Sequence, residues 1–347
     1  MKPDYIGDGM AFVLSIRPAV PNDAQSIFEC IQGFAKRFGV IEGRSVLSYI
    51  KTEGAVQRIA DQLCLENPPF QCLMAETKDN PIGCALYYPG FSDWTHSSYP
   101  WLEDLYAKDV DTVGDNNITR KELVKVLVRD AQKRDAPRIE TRSLVKHADT
   151  RIFYTEELGM HITSEWKSYR MELPSAVPVL PPKDKEITVR LAERSDLRQI
   201  AMFIQNSANV QGVPEKVNRR SVMEKLEREF NGETFGCLIA ERRGVAFGFA
   251  IFYRAYSSWE QCSYMMIEDL HAFFGRRGTG TALFARLREI GEKLGYARIE
   301  TRTQTTSRSM GSAAGFVEAM GMTSTLGLDW RIFRMELTPT VIRRLGL

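Results

Sequence analysis

Hydrophobic and polar positions alternate in short runs along much of the chain, and stretches with helical periodicity separate these runs. Alternation at every second residue predicts half-buried strands. Apolar positions three and four residues apart predict amphipathic helices. Turn pairs such as Asn80-Pro81 and Arg243-Gly244 join neighbouring strands directly. The pattern therefore predicts a mixed α/β fold with a largely antiparallel sheet.

The predicted elements recur in the same order in the two halves of the chain. In the first half the pattern places strands at 15–18, 72–76, 83–88, 102–105 and 138–141. In the second half it places them at 188–191, 237–241, 246–253, 264–273 and 298–301. Amphipathic helices follow the first strand and precede the fifth, and another helix and further strands close each half.

Short sequence blocks also repeat in the same order. Ile139–Arg142 reads Ile-Glu-Thr-Arg, and Ile299–Arg302 is identical. Leu102–Leu105 (LEDL) matches Ile267–Leu270 (IEDL), and both halves then close on Arg-Met-Glu-Leu. Collinear repetition of this kind predicts two copies of one fold. We therefore expect a first domain at 1–173 and a second at 186–347, joined by a proline-rich linker at 174–185.

Composition and charge narrow the range of functions. A chain of 347 residues suits two domains of ordinary size. The formal net charge of +2 gives no reason to expect nucleic acid or a membrane as partner, and no apolar run reaches spanning length. Six single cysteines favour reduced thiols and a cytoplasmic location. The acidic loop 109–115 resembles a calcium-binding loop but lacks the glycine such loops require, so we predict no metal.

The stretch 264–295 carries the candidate chemistry. Its strand is apolar up to Ile267 and then places two acids, Glu268 and Asp269, side by side. A turn of mostly small residues follows, comprising Arg277, Gly278, Thr279, Gly280, Thr281 and Ala282. A helix opens at 281, and its apolar face and glycine stop are Leu283, Leu287, Ile290, Leu294 and Gly295. Because the first N–H groups of a helix lie unpaired at the positive end of its dipole, this turn suits a pyrophosphate.

The pattern Arg-x-x-Gly-x-(Gly/Ala), entering a helix after a strand that ends in acids, resembles the GNAT acyltransferase superfamily. The resemblance is sharper to the spermidine/spermine (diamine) N-acetyltransferases, whose strand carries a similar Glu-Asp step at the same interval from the arginine. Two more blocks, Tyr253–Trp259 and Trp330–Phe333, resemble segments of that family. Together these blocks cover most of the second half.

This resemblance implies two tandem GNAT domains, each a mixed, mostly antiparallel sheet flanked by helices. It implies acetyl-CoA as co-substrate, with its pyrophosphate on the turn that runs from Arg277 to Ala282. The thioester oxygen would bind backbone N–H groups of Leu270, His271 and Ala272. The two strands that flank the cofactor are expected to splay apart.

The implied reaction is acetyl transfer to an amine, which must lose a proton before it can attack. The resemblance links both acids to this step: Glu268 would be the base, through a water molecule, and Asp269 would attract the substrate cation. Because neighbouring side chains of a strand point to opposite faces, we expect only one of the two to line the cleft. Trp259 either walls the amine channel or packs as a buried aromatic.

The second half departs from the family in one respect. Family members usually place a tyrosine on the helix after the last cofactor strand, where it protonates the leaving thiolate. This chain has Phe316 and Val317 there, and Tyr154 holds the matching place in the first half. A water molecule, Ser309 or Ser312 would have to replace the tyrosine, unless the thiolate leaves unassisted.

The first half has lost the phosphate loop. Larger or charged residues stand where the second half has small ones, namely Ile118 for Gly278, Arg120 for Gly280 and Glu122 for Ala282. These side chains would fill the space that phosphates need, and the acidic loop beside them would repel an anion. We therefore predict that the first half does not bind acetyl-CoA and has a structural role or shapes the substrate entrance.

The acceptor in the leading hypothesis is a primary amine, such as a diamine or polyamine or a lysine-like small molecule. The segment Ala208–Leu226 carries few acids, which favours a small amine over a long polyamine. Two alternatives stay open. The chain is a non-catalytic acetyl-CoA-binding or sensing protein, which the missing tyrosine favours, or it acetylates protein lysines and docks its target on the first half. We expect a monomer or a homodimer.

Overall fold

A computed structural model describes residues 14–41, 44–78, 80–108, 116–144, 147–163, 166–178, 186–217, 222–273, 278–304, 310–324 and 330–347. Four features of the sequence analysis lie outside these residues: the acidic loop 109–115, most of the linker, Arg277 and Ser309.

The described elements of the first half follow the predicted order. Its strands are β1 (Leu14–Pro18), β2 (Val40–Ile41), β3 (Arg44–Ser45), β4 (Gln71–Thr77), β5 (Asn80–Ser92), β6 (Ser97–Ala107), β7 (Arg138–Leu144), β8 (His161–Thr163) and β9 (Trp166–Glu172). Its helices are α1 (Ala24–Lys36), α2 (Ala55–Leu63), α3 (Asn116–Lys133) and α4 (Ala148–Ile152). A π-helical turn, Phe153–Glu157, follows α4.

The second half repeats this order. Its described strands are β10 (Thr188–Leu191), β11 (Gly236–Arg242), β12 (Val245–Ser257), β13 (Cys262–Ala272), β14 (Arg298–Gln304), β15 (Thr323–Ser324) and β16 (Trp330–Glu336). Its helices are α5 (Leu197–Gln211), α6 (Val222–Asn231), α7 (Thr279–Lys293), α8 (Met310–Ala319) and α9 (Pro339–Arg344). Among the helices of the described residues, none is both long and apolar enough to cross a membrane.

The helix predicted after the candidate turn is α7, and its apolar face is largely as expected. Leu283 and Leu287 are fully buried, and Ile290 packs against the same core. The prediction for Leu294 is wrong, because the helix ends at Lys293 and Leu294 is 57% exposed. Gly295 does stop the helix, with a φ of 68° in the left-handed region that glycine favours.

The described strands form two seven-stranded sheets and a small β2–β3 pair. The first sheet has the order β1-β4-β5-β6-β7-β16-β8, and the second has the order β10-β11-β12-β13-β14-β9-β15. Neighbouring strands are antiparallel except for β6–β7 and β13–β14, which are parallel. The predicted mixed, mostly antiparallel sheets flanked by helices are confirmed.

Each sheet contains a strand from the other half. β16 of the second half lies between β7 and β8 of the first sheet, and β9 of the first half lies between β14 and β15 of the second. Both exchanged strands carry an Arg-Met-Glu segment. The predicted boundaries at 173 and 186 therefore divide the sequence, but they do not assign every strand to the sheet of its own half.

Buried ion pairs hold the exchanged strands. Glu140 of β7 lies opposite Arg334 of β16, whose Nε donates a 2.7 Å hydrogen bond to Oε1 of Glu140. In the other sheet Arg170 of β9 lies opposite Glu300 of β14, and its Nη2 is 3.0 Å from Oε1 of Glu300. Glu140 and Glu300 are only 1% and 2% exposed. Because a buried carboxylate without a cation is costly, these pairs hold the exchanged strand in each sheet.

The carboxylate of Glu140 also joins the two sheets. Arg138 Nε lies 2.7 Å from its Oε1, and Arg302 Nη1 of the second sheet lies 3.8 Å from its Oε2. Burial alone would raise the pKa of Glu140, but the positive charges of Arg138, Arg334 and Arg302 outweigh burial and lower the pKa to about 2. Glu140 is therefore ionised throughout the neutral range.

Apolar surface is buried between the two halves as well as within them. Phe91 of the first half stacks on Phe235 of the second with ring centroids 4.2 Å apart. Tyr88 Oη lies 3.1 Å from Tyr264 Oη in the same shared core. Cys72 and Cys237 are buried free thiols in equivalent strands, as predicted. Each half therefore forms part of the other's packing environment.

Replacing Glu140 with Gln is expected to lower the free energy of unfolding by about 3–5 kcal/mol, because three arginines lose their shared carboxylate. Since the pKa of Glu140 lies below its ordinary value of 4.5, this difference is complete above pH 4.5 and shrinks as the pH falls toward about 2. Urea unfolding monitored by circular dichroism at several pH values measures it.

Glu336→Gln is the matched control for this prediction. Glu336 lies 3.9 Å from the same Arg334, but its side chain is 45% exposed. Its loss should change the free energy of unfolding by less than about 1 kcal/mol. Equal losses for the two variants would contradict the role assigned to Glu140.

Candidate active site

A gap opens in the second sheet between β13 and β14. The strands pair in parallel where Met265–Ile267 faces Ile299–Thr301. β13 then continues to Ala272 and β14 to Gln304 without further pairing between their described residues. The edge of β13 that faces the gap therefore presents backbone groups that β14 does not satisfy. The splay that the family resemblance implies is present.

A cavity of about 500 Å³ occupies this gap. Residues 266–272 of β13 line one side, and the first turn of α7 and part of α8 line others. The first half contributes a further group of lining residues, among them Ser92, Asp93, Trp94, Tyr99, Arg138 and Trp166. The volume is in the range of small-molecule sites.

Glu268 and Asp269 both line the cavity, which corrects the expectation that only one of them would. On β12, Ile251 pairs with Asp269 and Phe252 pairs with Ile267, so Glu268 is an extra residue on β13. A β-bulge of this kind redirects side chains that would otherwise alternate between the two faces. The bulge therefore brings both carboxylates to the gap.

These two carboxyl groups hold their protons more tightly than ordinary acids. Burial raises the pKa of Glu268 to about 7, and the positive charges of Arg302 and Arg138 offset this only in part. Burial also raises the pKa of Asp269, against a hydrogen bond with Ser207 that lowers it. Oδ2 of Asp269 is buried and has no hydrogen-bond partner among the described residues. A carboxylate with a pKa near 7 can take up a proton at neutral pH.

Helix α7 begins at the edge of the cavity. Its first residue is Thr279, two residues before the predicted start at 281, because Gly278 takes a φ of 98° and completes the turn. The Ala282 amide donates a 2.9 Å hydrogen bond to the Gly278 carbonyl. The amides of Gly280 and Thr281 have no acceptor within the helix, as in any first helical turn.

Gly280 lies against α8. A Cβ at this position would be 3.0 Å from the ring of Phe316, so a side chain here would push that ring away by a few tenths of an ångström. Phe316 and Val317 line the cavity where the resemblance expects a tyrosine, and neither carries a hydroxyl. The side chain of Ser312, like Ser309, lies outside the described residues.

Most of the predicted cofactor residues meet at this cavity. Its lining includes Leu270, His271, Ala272, Gly278, Gly280 and Thr281. The ring centroids of His271 and Phe273 lie 4.4 Å apart. Burial lowers the pKa of the His271 imidazole, which is therefore neutral at pH 7.

Thr279 and Ala282 are buried instead, at 0% and 7% exposure. The Thr279 methyl group packs against Gly248 of β12, and Ala282 lies in the core with Leu283. Thr279 therefore exposes no surface to an anion, and the Ala282 amide is already bonded to the Gly278 carbonyl. Arg277 lies outside the described residues.

Trp259 packs against the first half. Its ring centroid lies 6.4 Å from those of Phe38 and Trp330, and its carbonyl accepts a 2.9 Å hydrogen bond from the Lys51 amide. The described lining of the cavity does not include Trp259. Trp259 is half-buried and packs beside the shared core, because the turn after β12 crosses to the opposite half. That it walls the amine channel stays a prediction.

The equivalent turn of the first half makes the reverse crossing, and sequence reasoning missed the residues it delivers. The turn between β5 and β6 brings Asp93 and Trp94 to the cavity, and the exchanged strand β9 brings Trp166. One signal existed in the repeat, because Ser92-Asp93-Trp94 aligns with Ser257-Ser258-Trp259. That alignment carries no sign that each turn enters the other half.

The corresponding region of the first half is packed. Arg120, the counterpart of Gly280, is 8% exposed, and its guanidinium lies 4.0 Å from the ring of Phe153. Tyr154 is 2% exposed and Asp104, the counterpart of Asp269, is 1% exposed. Side chains thus occupy space that the second half leaves open.

No protein-family profile and no curated protein matches the sequence, but solved structures match the fold. A tandem GNAT protein from the clavulanic acid biosynthesis pathway is 12% identical, with 94% of this chain and 99% of that chain covered and a TM-score of 0.49. A GCN5-related N-acetyltransferase from Sphaerobacter thermophilus is 16% identical, with 94% and 96% covered and a TM-score of 0.49.

Another match has a TM-score above 0.5. The GCN5-related glucosamine N-acetyltransferase region of a fungal multi-domain GH3 β-N-acetylglucosaminidase is 11% identical, with 94% of this chain and 39% of that chain covered and a TM-score of 0.51. At such identity a match shows the fold alone. Together with the two sheets of equivalent strand order, it confirms the predicted fold class of two tandem GNAT domains.

Proposed function

We propose that the chain is an acetyl-CoA-dependent N-acetyltransferase of primary amines and that the reaction takes place in the gap of the second half. One observation carries this proposal: two carboxyl groups with raised pKa, Glu268 and Asp269, share a cavity with the amino end of α7. An acid pair of this kind can handle the proton of an amine, and a helix amino end can bind a diphosphate. The GNAT fold supports the same chemistry.

The residues around the gap fit acetyl-CoA, which would supply the acetyl group as a thioester. Backbone amides in the first turn of α7 would hold the diphosphate, beside the side-chain-free Gly280. The unpaired edge of β13 at 270–272 would hold the remainder through backbone hydrogen bonds. Backbone N–H groups on that edge would also stabilise negative charge on the carbonyl oxygen during transfer.

Glu268 and Asp269 divide the work on the acceptor. An ammonium group has no lone pair, so Glu268 accepts its proton, directly or through water, and frees the amine for attack. Asp269 contributes negative charge that attracts the cation before this step. Phe316 and Val317 offer no proton to the departing thiolate. The thiolate still leaves, because it is a fair leaving group, but the reaction is slower without the acid.

Whether the chain catalyses transfer, and which amine it accepts, are two separate questions. Because Phe316 and Val317 supply no proton for the thiolate, the second candidate is a non-catalytic protein that binds acetyl-CoA. The resemblance to the spermidine/spermine acetyltransferases favours a diamine or polyamine, and protein lysine is also a primary amine. Thiol release with a panel of amines separates an enzyme from a binding protein, and turnover restricted to a folded protein would identify a protein-modifying enzyme.

Titration calorimetry with acetyl-CoA is expected to give one site per chain. Gly280→Asp should weaken binding at least about 100-fold, because a carboxylate would stand against the diphosphate and crowd Phe316. The control is Arg120→Lys at the counterpart position in the first half, which should bind acetyl-CoA like wild type. If both variants weakened binding alike, or if two sites were found, the assignment of the site to the second half would fail.

The pH dependence of kcat/KM should show an acid limb with an apparent pKa near 7, because Glu268 must be ionised to accept a proton. Activity therefore rises as the pH passes through this value. Glu268→Gln should lower kcat/KM by about 10²–10⁴-fold and remove the limb. Glu103→Gln, at the buried counterpart in the first half, should keep the limb. A limb that survives Glu268→Gln would show that another group is the base.

A further inference from the structure

The turn Ser92–Ser97, between β5 and β6, is the part of the first half that reaches into the cavity of the second. Ser92, Asp93 and Trp94 all line the cavity. Asp93 is only 6% exposed, although it is a charged residue on a turn. A carboxylate is seldom buried in this way without a partner.

Asp93 has no cationic partner among the described residues. Its Oδ1 accepts a 2.8 Å hydrogen bond from the Trp94 amide, and none of the ion pairs between described residues includes it. The arginines that border the cavity are engaged elsewhere. Arg138 pairs with Glu140 at 2.7 Å and donates a 3.2 Å hydrogen bond to Ser92 Oγ, and Arg334 also pairs with Glu140 at 2.7 Å.

Asp93 shares its cavity with Glu268 and Asp269. Burial and the negative charges of Asp269 and Glu268 raise the pKa of Asp93 well above its usual range. Three carboxyl groups thus face one space, and the arginines that line it, which all pair with Glu140, offset this negative charge only in part. A bound cation would relieve this repulsion, and a second cation would relieve it further.

Aromatic rings flank Asp93 on the same side of the cavity. Trp94 and Trp166 have ring centroids 6.3 Å apart and both line the cavity. Lys216 Nζ lies 5.2 Å from the Trp94 ring, so this ring already contacts a cation. Val210, 61% exposed, and Gln211 complete this side from α5. Indole faces suit the carbon chain and the charged end of an alkylammonium group.

The two halves differ at this position. β5 and β12 have the same length, as do β6 and β13, so Asp93 corresponds to Ser258. Ser258 is fully buried in the turn that faces the packed first half. The acid therefore occurs in the turn that enters the open cavity, and its counterpart in the other turn is uncharged.

We propose that Asp93 is a specificity-determining residue that the first half supplies to the active site of the second. Its carboxylate binds a positive group of the acceptor distal to the amine that is acetylated. The site therefore selects acceptors that carry a second cation, and Trp94 and Trp166 contact the chain between the two charged groups. This inference rests on the proposed function, and it assigns the first half a direct part in acceptor recognition.

The test compares two acceptors of equal length, 1,4-diaminobutane and 1-aminobutane, in a thiol-release assay with the full chain. Wild type should prefer the diamine. Asp93→Asn should lower kcat/KM for the diamine at least about tenfold, which corresponds to the weakest hydrogen bonds to charged groups. It should change kcat/KM for the monoamine less than about threefold. Asp93→Glu should retain part of the preference, because it restores the charge.

Asp130→Asn is the matched control, an acid on α3 that pairs with Arg134 at 2.9 Å and should change neither rate. Equal losses of kcat/KM for both amines in Asp93→Asn would overturn the inference, since a merely structural role acts on both. A wild type without preference for the diamine would also overturn it.

Calorimetric titration of the two amines in the absence of acetyl-CoA separates this inference from the proposed function. If wild type transferred acetyl to no amine, the proposed function would fail. Even then, the acceptor site would be supported if wild type bound the diamine more tightly than the monoamine and Asp93→Asn abolished this difference. Equal affinities in wild type, or an unchanged difference in Asp93→Asn, would overturn it.

Discussion

The exchange of β9 and β16 between the two sheets is the constraint on which the rest of the structure depends. Backbone hydrogen bonds alone do not hold a strand in one register, so buried side-chain pairs fix each exchanged strand in place. Glu140 and Glu300 each lie buried opposite an arginine of the exchanged strand, Arg334 and Arg170. A buried carboxylate left without its cation costs several kcal/mol. Neither sheet is therefore complete without the other half.

The exchange brings residues of each half to the gap of the other, with opposite results. In the first half, Arg120 is buried against Phe153 and Trp259 enters from the second half, so this region is packed. In the second half, Gly280 leaves the amino end of α7 accessible, and Asp93 enters from the first half. One repeat thus keeps an open cavity, and the other builds part of its wall.

Much of the fold followed from local patterns, which are strong where periodicity and repetition agree. The paired acids and the glycine-rich start of α7 were located from sequence because their spacing reflects a local geometry. The bulge at Glu268 was not, because it depends on the register between β12 and β13. The exchange was hidden for a related reason: both closing strands carry the same Arg-Met-Glu pattern, which fits either sheet. The contact of Trp259 with the first half and the approach of Asp93 to the second were not predicted for the same reason, since each turn faces the half to which it does not belong.

The most direct measurement is a crystal structure of the full chain with CoA and 1,4-diaminobutane bound. Our interpretation predicts one CoA per chain, with its diphosphate on the amides of Gly280 and Thr281 and the distal ammonium of the diamine beside Asp93. A diphosphate bound near Arg120 instead, or a diamine bound away from the first-half wall of the cavity, would contradict it.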